Sequence, residues 1–225
     1  MSAFYYPFYF EASDIITITG DEFNHLKVKR QLEKSIKITN GLGLFAIAEP
    51  INIEKNSLDL KIIKVLLNFN ENKFHSTLFF GLIDDKNRIE FIIEKATELG
   101  VNEIFPLICE FSQFPKFDLA RNEKKAISAI KQSERSVMPK IYQPIKFKEV
   151  EFLIANYKHK YLADFDGDDV IRSSDGKVAF FVGPEGGFSS KEKEFLQMNC
   201  ESVKLSNSVL RTETACISIF QKIKL

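Results

Sequence analysis

Two loops hold the residues of this 225-residue chain whose types and spacing could do chemistry. The first, Gly183-Pro184-Glu185-Gly186-Gly187, ends an apolar run and leads at once into a serine-rich helix start. Glycine-rich turns in that setting often cradle phosphate. A phosphate loop, however, closes on Gly-Lys-Ser/Thr, and here Glu185 would repel the anion. The three spaced glycines of a dinucleotide fingerprint are also absent. What remains is a backbone device. Gly183, Gly186 and Gly187 permit positive φ and close approach of main chain to a ligand, and Pro184 stiffens the turn. Such a loop offers N–H and C=O groups to a flat polar body such as a purine, and a carboxylate beside it suits a cation. A tight strand-to-helix turn with no ligand accounts for the same spacing.

The second loop, Leu205-Ser206-Asn207-Ser208-Val209-Leu210-Arg211-Thr212-Glu213-Thr214-Ala215, also follows a short strand and opens a helix. Arg211, Glu213 and two threonines occupy four consecutive positions, a dense set of functional groups for a plain connection. Such groups concentrate in loops at the strand ends of α/β sheets.

The elements that position these loops alternate strand and helix from residue 74 onward. Strands are predicted over 76–83, 103–108, 160–165, 177–183 and 202–206. Helices are predicted over 87–100, 119–135, 189–199 and 213–223. That alternation implies an α/β domain with a mainly parallel sheet. In the helix over 87–100, Ile89, Ile92, Ile93, Ala96 and Leu99 recur at helical spacing, and Gly100 fits the residue just past its end. Ala120, Ala126, Ile127 and Ile130 form the inward face expected over 119–135. Ser189 and Glu192 make a capping box that fixes where the helix after the first loop begins. Residues 1–70 differ: short β-rich runs at 14–19, 35–39, 44–49 and 58–67 suggest a small barrel, with one helix over 21–32 and Asp21 as its N-cap. The polar stretch 68–73 reads as a linker between domains 1–70 and 74–225.

The 31 basic and 31 acidic side chains cancel, so net charge does not announce a nucleic-acid binder. Their distribution is uneven. Residues 111–148 hold nine bases against three acids, and 24–37 hold five against one, whereas 149–201 hold eleven acids against six bases. Charge runs of this kind serve either as solvated faces or as phosphate-binding patches. Cys109, Cys200 and Cys216 are odd in number and widely spaced, which argues against a disulfide framework or a zinc site, and no metal is expected. No apolar run approaches the ~20 residues that span a bilayer, and the aromatic N-terminus lacks a basic region and cleavage site. A soluble, cytoplasmic protein is expected.

The order "VGPEGGFSSKE" then "LSNSVLRTETA", preceded by "IEKATELGVNEIFPL" (93–107) and "QSERSVMPKI" (132–141), resembles the RsmE family. These are SPOUT-superfamily methyltransferases acting on a uridine of small-subunit (16S) ribosomal RNA. "HLKVKRQ" (25–31) resembles the family more loosely. The resemblance implies a PUA-like RNA-binding β-barrel over 1–70 and a SPOUT domain with a C-terminal trefoil knot over 74–225. It also implies a homodimer, S-adenosylmethionine as methyl donor, and methylation at uracil N3. By position, Leu162, Ala163, Gly183, Pro184, Glu185, Gly186, Gly187, Leu205, Ser206, Val209, Leu210 and Thr214 would surround the cofactor. Arg211 would stabilise negative charge on the base, or else pair with Glu213 or a backbone carbonyl. Glu213 or Glu185 would accept the proton, unless Glu185 orients the loop. His25, Lys29, Arg30 and Arg135 would contact RNA, and Phe4, Tyr5 and Tyr6 would stack on bases or pack in the core. His75 and His159 are weaker candidates for a base. Where Ser206 and Ser208 stand, the family usually has glycine and often arginine. Another RNA target, or a non-catalytic RNA-binding or ribosome-assembly role, is therefore the alternative.

Overall fold

The computed structural model describes residues 2–28, 35–112, 117–168 and 176–222, with the backbone alone for His25, Lys27, Val28 and Asp168. The chain divides into two compact units, Met1–Glu71 with Ile127–Met138, and Asn72–Ala126 with Pro139–Leu225. The break after residue 71 falls inside the stretch expected to be a linker. Residues 127–138, expected in the second domain, group with the first.

In the first unit the elements are β1 (Phe4–Tyr5), β2 (Ile15–Thr19), α1 (Gly20–Val28), β3 (Ile36–Thr39), β4 (Leu44–Ile53) and β5 (Ser57–Leu67). They form a five-stranded sheet in the order β1-β3-β4-β5-β2. The β1–β3 pair is parallel and the others antiparallel. Strict alternation sets the faces: in β2, Ile16 and Ile18 turn inward while Ile15, Thr17 and Thr19 face out. Asp21 lies within the first turn of α1 rather than capping it. Phe4 is buried in the core with Phe10, Leu26 and Ile38, so it is unavailable for stacking on a base. The exposed aromatics of this segment are Phe8 and Tyr9.

Arg135 requires a correction. Expected to contact RNA, it is 1% exposed. Its Nε and Nη2 donate to Glu71 Oε2 at 3.1 and 2.5 Å. Glu71 Oε1 accepts the Ser136 and Val137 backbone N–H groups, each at 2.9 Å. Glu71 is therefore no linker residue but the buried counter-ion of Arg135. Removing either partner of such a pair leaves an uncompensated interior charge and costs about 3–5 kcal/mol.

The second unit contains β6 (His75–Gly81), α2 (Lys86–Glu98) and β7 (Glu103–Ile108). Then come α3 (Leu119–Ser133), which runs on into the first unit from Ile127, and β8 (Lys140–Ile141) and β9 (Ile145–Lys146). The chain continues through α4 (Val150–Leu153), β10 (His159–Asp168), β11 (Lys177–Val182), α5 (Ser190–Asn199), β12 (Glu201–Val203) and α6 (Thr212–Gln221). Every strand pairing is parallel, in the order β12-β10-β11-β6-β7-β8, with β9 also on β7. A sheet covered on both faces needs apolar residues in succession rather than alternation, and β6 and β11 show this. Phe105, Phe79 and Phe181 sit in register on three neighbouring strands. Their rings stack at 4.9 and 4.7 Å between centroids, and Tyr142 continues the stack at 3.9 Å from Phe105.

Helix α2 follows its expected pattern, with Ile89, Ile92, Ile93 and Ala96 buried. Leu99 is its C-cap, and Gly100 has φ +89°. In α3, Ala126 and Ile130 face inward, but Ala120 is exposed. Much of the basic run 111–148 makes internal contacts. Arg121 pairs with Glu90, Lys125 with Glu94 at 3.2 Å and Lys131 with Glu22, and Lys140 lies 4.5 Å from the Tyr142 ring centre. Among the described residues, no helix is long and apolar enough to cross a membrane.

Candidate active site

All strands of the second sheet run the same way, so their carboxyl ends lie along one edge, where ligands of open α/β sheets bind. β11 ends in Gly183–Gly187, β10 presents Leu162 to Phe165, and β12 leads into 204–211. Together with the start of α6 these segments enclose a cavity of about 580 Å³, within the range of small-molecule sites.

The first loop is built to a fixed shape. Gly187 N–H donates to Pro184 O at 2.8 Å, closing a tight turn in which Gly187 has φ +73°. Gly183 and Gly186, which permit positive φ, do not adopt it. Gly186 is required for another reason: a Cβ there would lie 2.9 Å from Phe111 Cβ. At the end of β6, a Cβ on Gly81 would lie 2.2 Å from Pro184 Cδ and 2.3 Å from Pro184 N. The proline thus rests directly on the neighbouring strand end. Glu192 then fixes the exit. Its carboxylate accepts Ser189 N–H on one oxygen and Glu110 N–H on the other, each at 2.9 Å. This joins the start of α5 to the turn after β7. The second loop touches the first through Thr212 Oγ1, which donates to Gly183 O at 3.2 Å.

The electrostatics centre on a residue that sequence reasoning missed. Arg88, in the first turn of α2, places one terminal nitrogen on Glu185 and the other on Glu213, the latter at 2.6 Å. Asp85 caps α2 by accepting Asn87 and Arg88 N–H groups at 2.8 and 3.2 Å, which sets where Arg88 stands. Burial pushes the Glu213 carboxyl upward. The Arg88 hydrogen bond, the helix-start amide and the charges of Arg88 and Arg211 outweigh it and hold the carboxyl below its ordinary range. The two carboxylates raise the Arg88 pKa, chiefly through the Glu213 hydrogen bond. One cation between two anions leaves a net negative group beside the cavity. The only sequence clue was an arginine soon after a strand end, "DDKNR", with no motif to single it out.

Of the residues expected around the cofactor, Leu162, Ala163, Gly183, Pro184, Glu185, Gly187, Leu205, Ser206, Val209 and Leu210 line the cavity, as does Arg211. Gly186 and Thr214 do not; Gly186 faces Phe111, and Thr214 is exposed. Glu213 also lies off the cavity wall, ion-paired to Arg88 and not to Arg211. The wall has members not anticipated, among them Asp164, Phe165, Phe188 and Lys193. Asp164 accepts from Lys193 Nζ at 2.9 Å and Gln197 Nε2 at 2.8 Å. Burial raises its pKa, and those two hydrogen bonds, with the Lys193 charge and the Phe165 backbone N–H, more than reverse this. Ser206 and Ser208 bond to each other, Oγ to Oγ at 3.0 Å. His75 pairs with Glu103 at 2.9 Å, outside the cavity lining. Lys29 and Arg30 lie outside the described residues, as does the side chain of His25.

The chemistry of this wall can be tested against a methyl donor bearing a purine and a sulfonium. Leu162, Val182, Leu210 and Ala215 supply apolar surface, and Gly183 and Gly187 expose backbone. A Cβ at Gly187 would meet no atom within 4 Å, so it would stand in open space at the cavity wall. The charged groups of the wall, Asp164 and Glu185 with Lys193 and Arg211, are of both signs, which suits a guest that itself carries both. The residues present fit such a molecule.

Residues 70–224 match the family described as RNA methyltransferase domain. The Ribosomal RNA small subunit methyltransferase E of Rickettsia conorii is 31% identical over 208 residues, covering 84% of this chain and 82% of its own length. That of Mesomycoplasma hyopneumoniae is 31% identical over 214 residues, covering 91% and 92%. In three dimensions the chain resembles the Neisseria gonorrhoeae Ribosomal RNA small subunit methyltransferase E bound to S-adenosyl methionine. The TM-score is 0.86 at 27% identity, over 98% of this chain and 95% of that one. The probable rRNA-methyltransferase of Porphyromonas gingivalis gives 0.83 at 28% identity, over 98% and 96%. This chain belongs to the ribosomal RNA small subunit methyltransferase E family.

Proposed function

We propose that this protein methylates N3 of a uridine in small-subunit ribosomal RNA, taking the methyl group from S-adenosylmethionine. The observation that carries the proposal is the cavity between the 183–187 and 205–212 loops, whose glycine backbone, apolar wall and charged groups of both signs suit that cofactor. When bound, the cofactor supplies an electrophilic methyl group on a cationic sulfur. The protein's own task is placement, because aligning two reactants is worth about 7–11 kcal/mol of barrier. Gly183 and Gly187 let main chain approach the guest. Arg211, exposed at the N-cap of α6 and lining the cavity, stands where a cation would stabilise a uracil that has lost its N3 proton. Glu213 is held ionised by Arg88, so it serves better as a structural anion than as a proton acceptor. Glu185 likewise orients the loop, the second of the two roles considered for it.

The fold we assign to this activity is a SPOUT-type sheet with a C-terminal trefoil knot over 74–225, preceded by a PUA-like barrel over 1–70 that binds RNA. Lys29 and Arg30 are its proposed phosphate contacts. A cytoplasmic homodimer is the proposed working form. Exposed Val209 and Phe165 at the cavity margin supply apolar surface for a second copy. A second reading, methylation of a different RNA, is favoured by Ser206 and Ser208, whose hydroxyls satisfy each other where a family arginine would present a charge. Mass spectrometry of small-subunit RNA from a deletion strain decides between them. Loss of N3-methyluridine is expected, and an unchanged level would refute the first reading. Calorimetry with S-adenosylmethionine tests for a non-catalytic role, which absence of binding by the folded protein would favour.

A further inference from the structure

We propose that Arg88 is a positioning residue for methyl transfer: it ties the two cofactor loops into one register before the cofactor arrives. The proposal rests on the cofactor reading above and concerns a residue outside both loops. Glu185 lies at the centre of the first loop, and Glu213 lies in the first turn of α6, two residues after Arg211. Nothing in the chain path between residues 187 and 205 holds these segments together at that end, since α5 and β12 intervene. Arg88 spans them with its two terminal nitrogens.

A guanidinium suits this task because it is planar and always charged, and its donors point in fixed directions, so two carboxylates held by it are also held relative to each other. An ammonium on a flexible stem fixes no such angle. The Arg88 side chain is 20% exposed and that of Glu213 12%, which shields this pair from solvent and salt, whereas Glu185 is half exposed and its pair is the more screened of the two. Its Nε–H is buried without a partner among the described residues, an unmet donor tolerated at a site where the two outer nitrogens dictate position. The base of the arrangement is rigid too. Asp85 caps α2 and Ile89 is buried directly beside Arg88. The contact at Thr212 Oγ1 and Gly183 O is a second tie between the same loops, neutral and longer at 3.2 Å. By placing Glu213, Arg88 also sets the first turn of α6 and hence the N-cap residue Arg211.

The test compares Arg88→Gln and Arg88→Lys with wild type, using the full chain. Amide hydrogen exchange is read on the cofactor-free protein, and S-adenosylmethionine affinity by calorimetry. Arg88→Gln is expected to speed exchange in 185–188 and in 213–216 together, with amides of β6 and β11 unchanged. Its affinity for S-adenosylmethionine should fall at least tenfold. Arg88→Lys should restore protection in at most one of the two segments. Wild-type exchange in both segments, loosening of one alone in Arg88→Gln, or faster exchange throughout the second unit would overturn the proposal. If Arg88→Gln does not fold, the Glu185→Ala/Glu213→Ala double variant removes both contacts while keeping the arginine. Wild-type protection there is equally fatal. A wild-type protein that fails to bind S-adenosylmethionine would sink the cofactor reading instead, and the exchange data would still decide whether the clamp exists.

Discussion

The two loops that close the cavity are held in opposite ways. The 183–187 loop is fixed from every side: by its own turn, by Gly81 beneath Pro184, by Phe111 against Gly186, and by Glu192 at its exit. The 205–211 loop has little of this. Val209 is 88% exposed, Asn207 and Arg211 are also exposed, and its internal bonds are those between Ser206 and Ser208. One wall of the site is preformed; the other is anchored only at its 212–213 end, and residues 205–210 are left to settle around the guests. A preformed wall spares the ordering entropy that binding would otherwise cost. An open one can admit a large RNA after a small cofactor. Substitutions in the first loop should therefore register in cofactor affinity, and those in the second in turnover.

The largest effect expected is at Gly81, which lies outside both loops. Alanine there would press a methyl group to 2.2 Å from Pro184 Cδ, and main chain on both sides limits relief. Gly81→Ala should lower stability by about 3 kcal/mol, the upper end for overpacking. It should also abolish measurable S-adenosylmethionine binding. Thermal unfolding with and without cofactor reads both. A variant stabilised by cofactor as strongly as wild type would show the first loop to be less rigid than described. Arg211→Ala provides the contrast in the second loop. A roughly 100-fold loss in kcat, about 2.7 kcal/mol of transition-state stabilisation, is expected with cofactor affinity within threefold. Equal losses in both would place Arg211 in the cofactor subsite and erase the distinction between the walls.

Glu213→Gln acts where the two loops meet. The Glu213 carboxyl is held below its ordinary value of 4.5, so its contribution is fully present above about pH 4.5 and is lost as pH falls through the lowered folded value. The glutamine variant should be less stable than wild type by about 2 kcal/mol at pH 7, the scale of a charge-assisted hydrogen bond. That difference should shrink in strongly acidic solution, where wild type is protonated too. Unfolding midpoints measured from pH 7 down to pH 3 check this. A constant difference would mean that shape at residue 213, not charge, is what matters.

How far the sequence carried these features depends on how local their causes are. The parallel sheet was legible because strands such as 78–83 and 178–182 are continuously apolar, and because helices intervene at regular intervals. The two loops stood out because their glycines, arginine and threonines are adjacent in sequence. Pairs distant in sequence were not legible. Arg88 sits 97 residues from Glu185 and 125 from Glu213. Arg135 looked like a surface cation within a basic run until Glu71, 64 residues away, appeared as its buried partner. Short strands such as β8 and β9, two residues each, carry too little pattern to be seen. The same holds for the glycines. A glycine announces that a side chain is not tolerated, but not whether conformation or a neighbour forbids it.

Gly186 and Gly187 separate those two causes within one turn, and the difference supplies the subtlest test of how the first wall is built. At Gly187 the backbone is left-handed at φ +73° while space is open, so Gly187→Ala bears only the conformational penalty of about 1–2 kcal/mol. At Gly186 the backbone lies outside the left-handed region, and the obstacle is Phe111 Cβ at 2.9 Å. That contact is with the root of the side chain, so a rotamer change cannot relieve it; the turn after β7 has to shift. Gly186→Ala should cost about 1 kcal/mol, the low end of overpacking. A double-mutant cycle distinguishes them. Phe111→Gly removes the obstructing atom and should erase most of the additional loss caused by Gly186→Ala, while leaving the Gly187→Ala loss intact. Equal rescue of both would mean that the turn responds as a unit to pressure from residue 111. Rescue of neither would locate the constraint in the Pro184–Gly187 hydrogen bond, with the neighbouring turn a bystander.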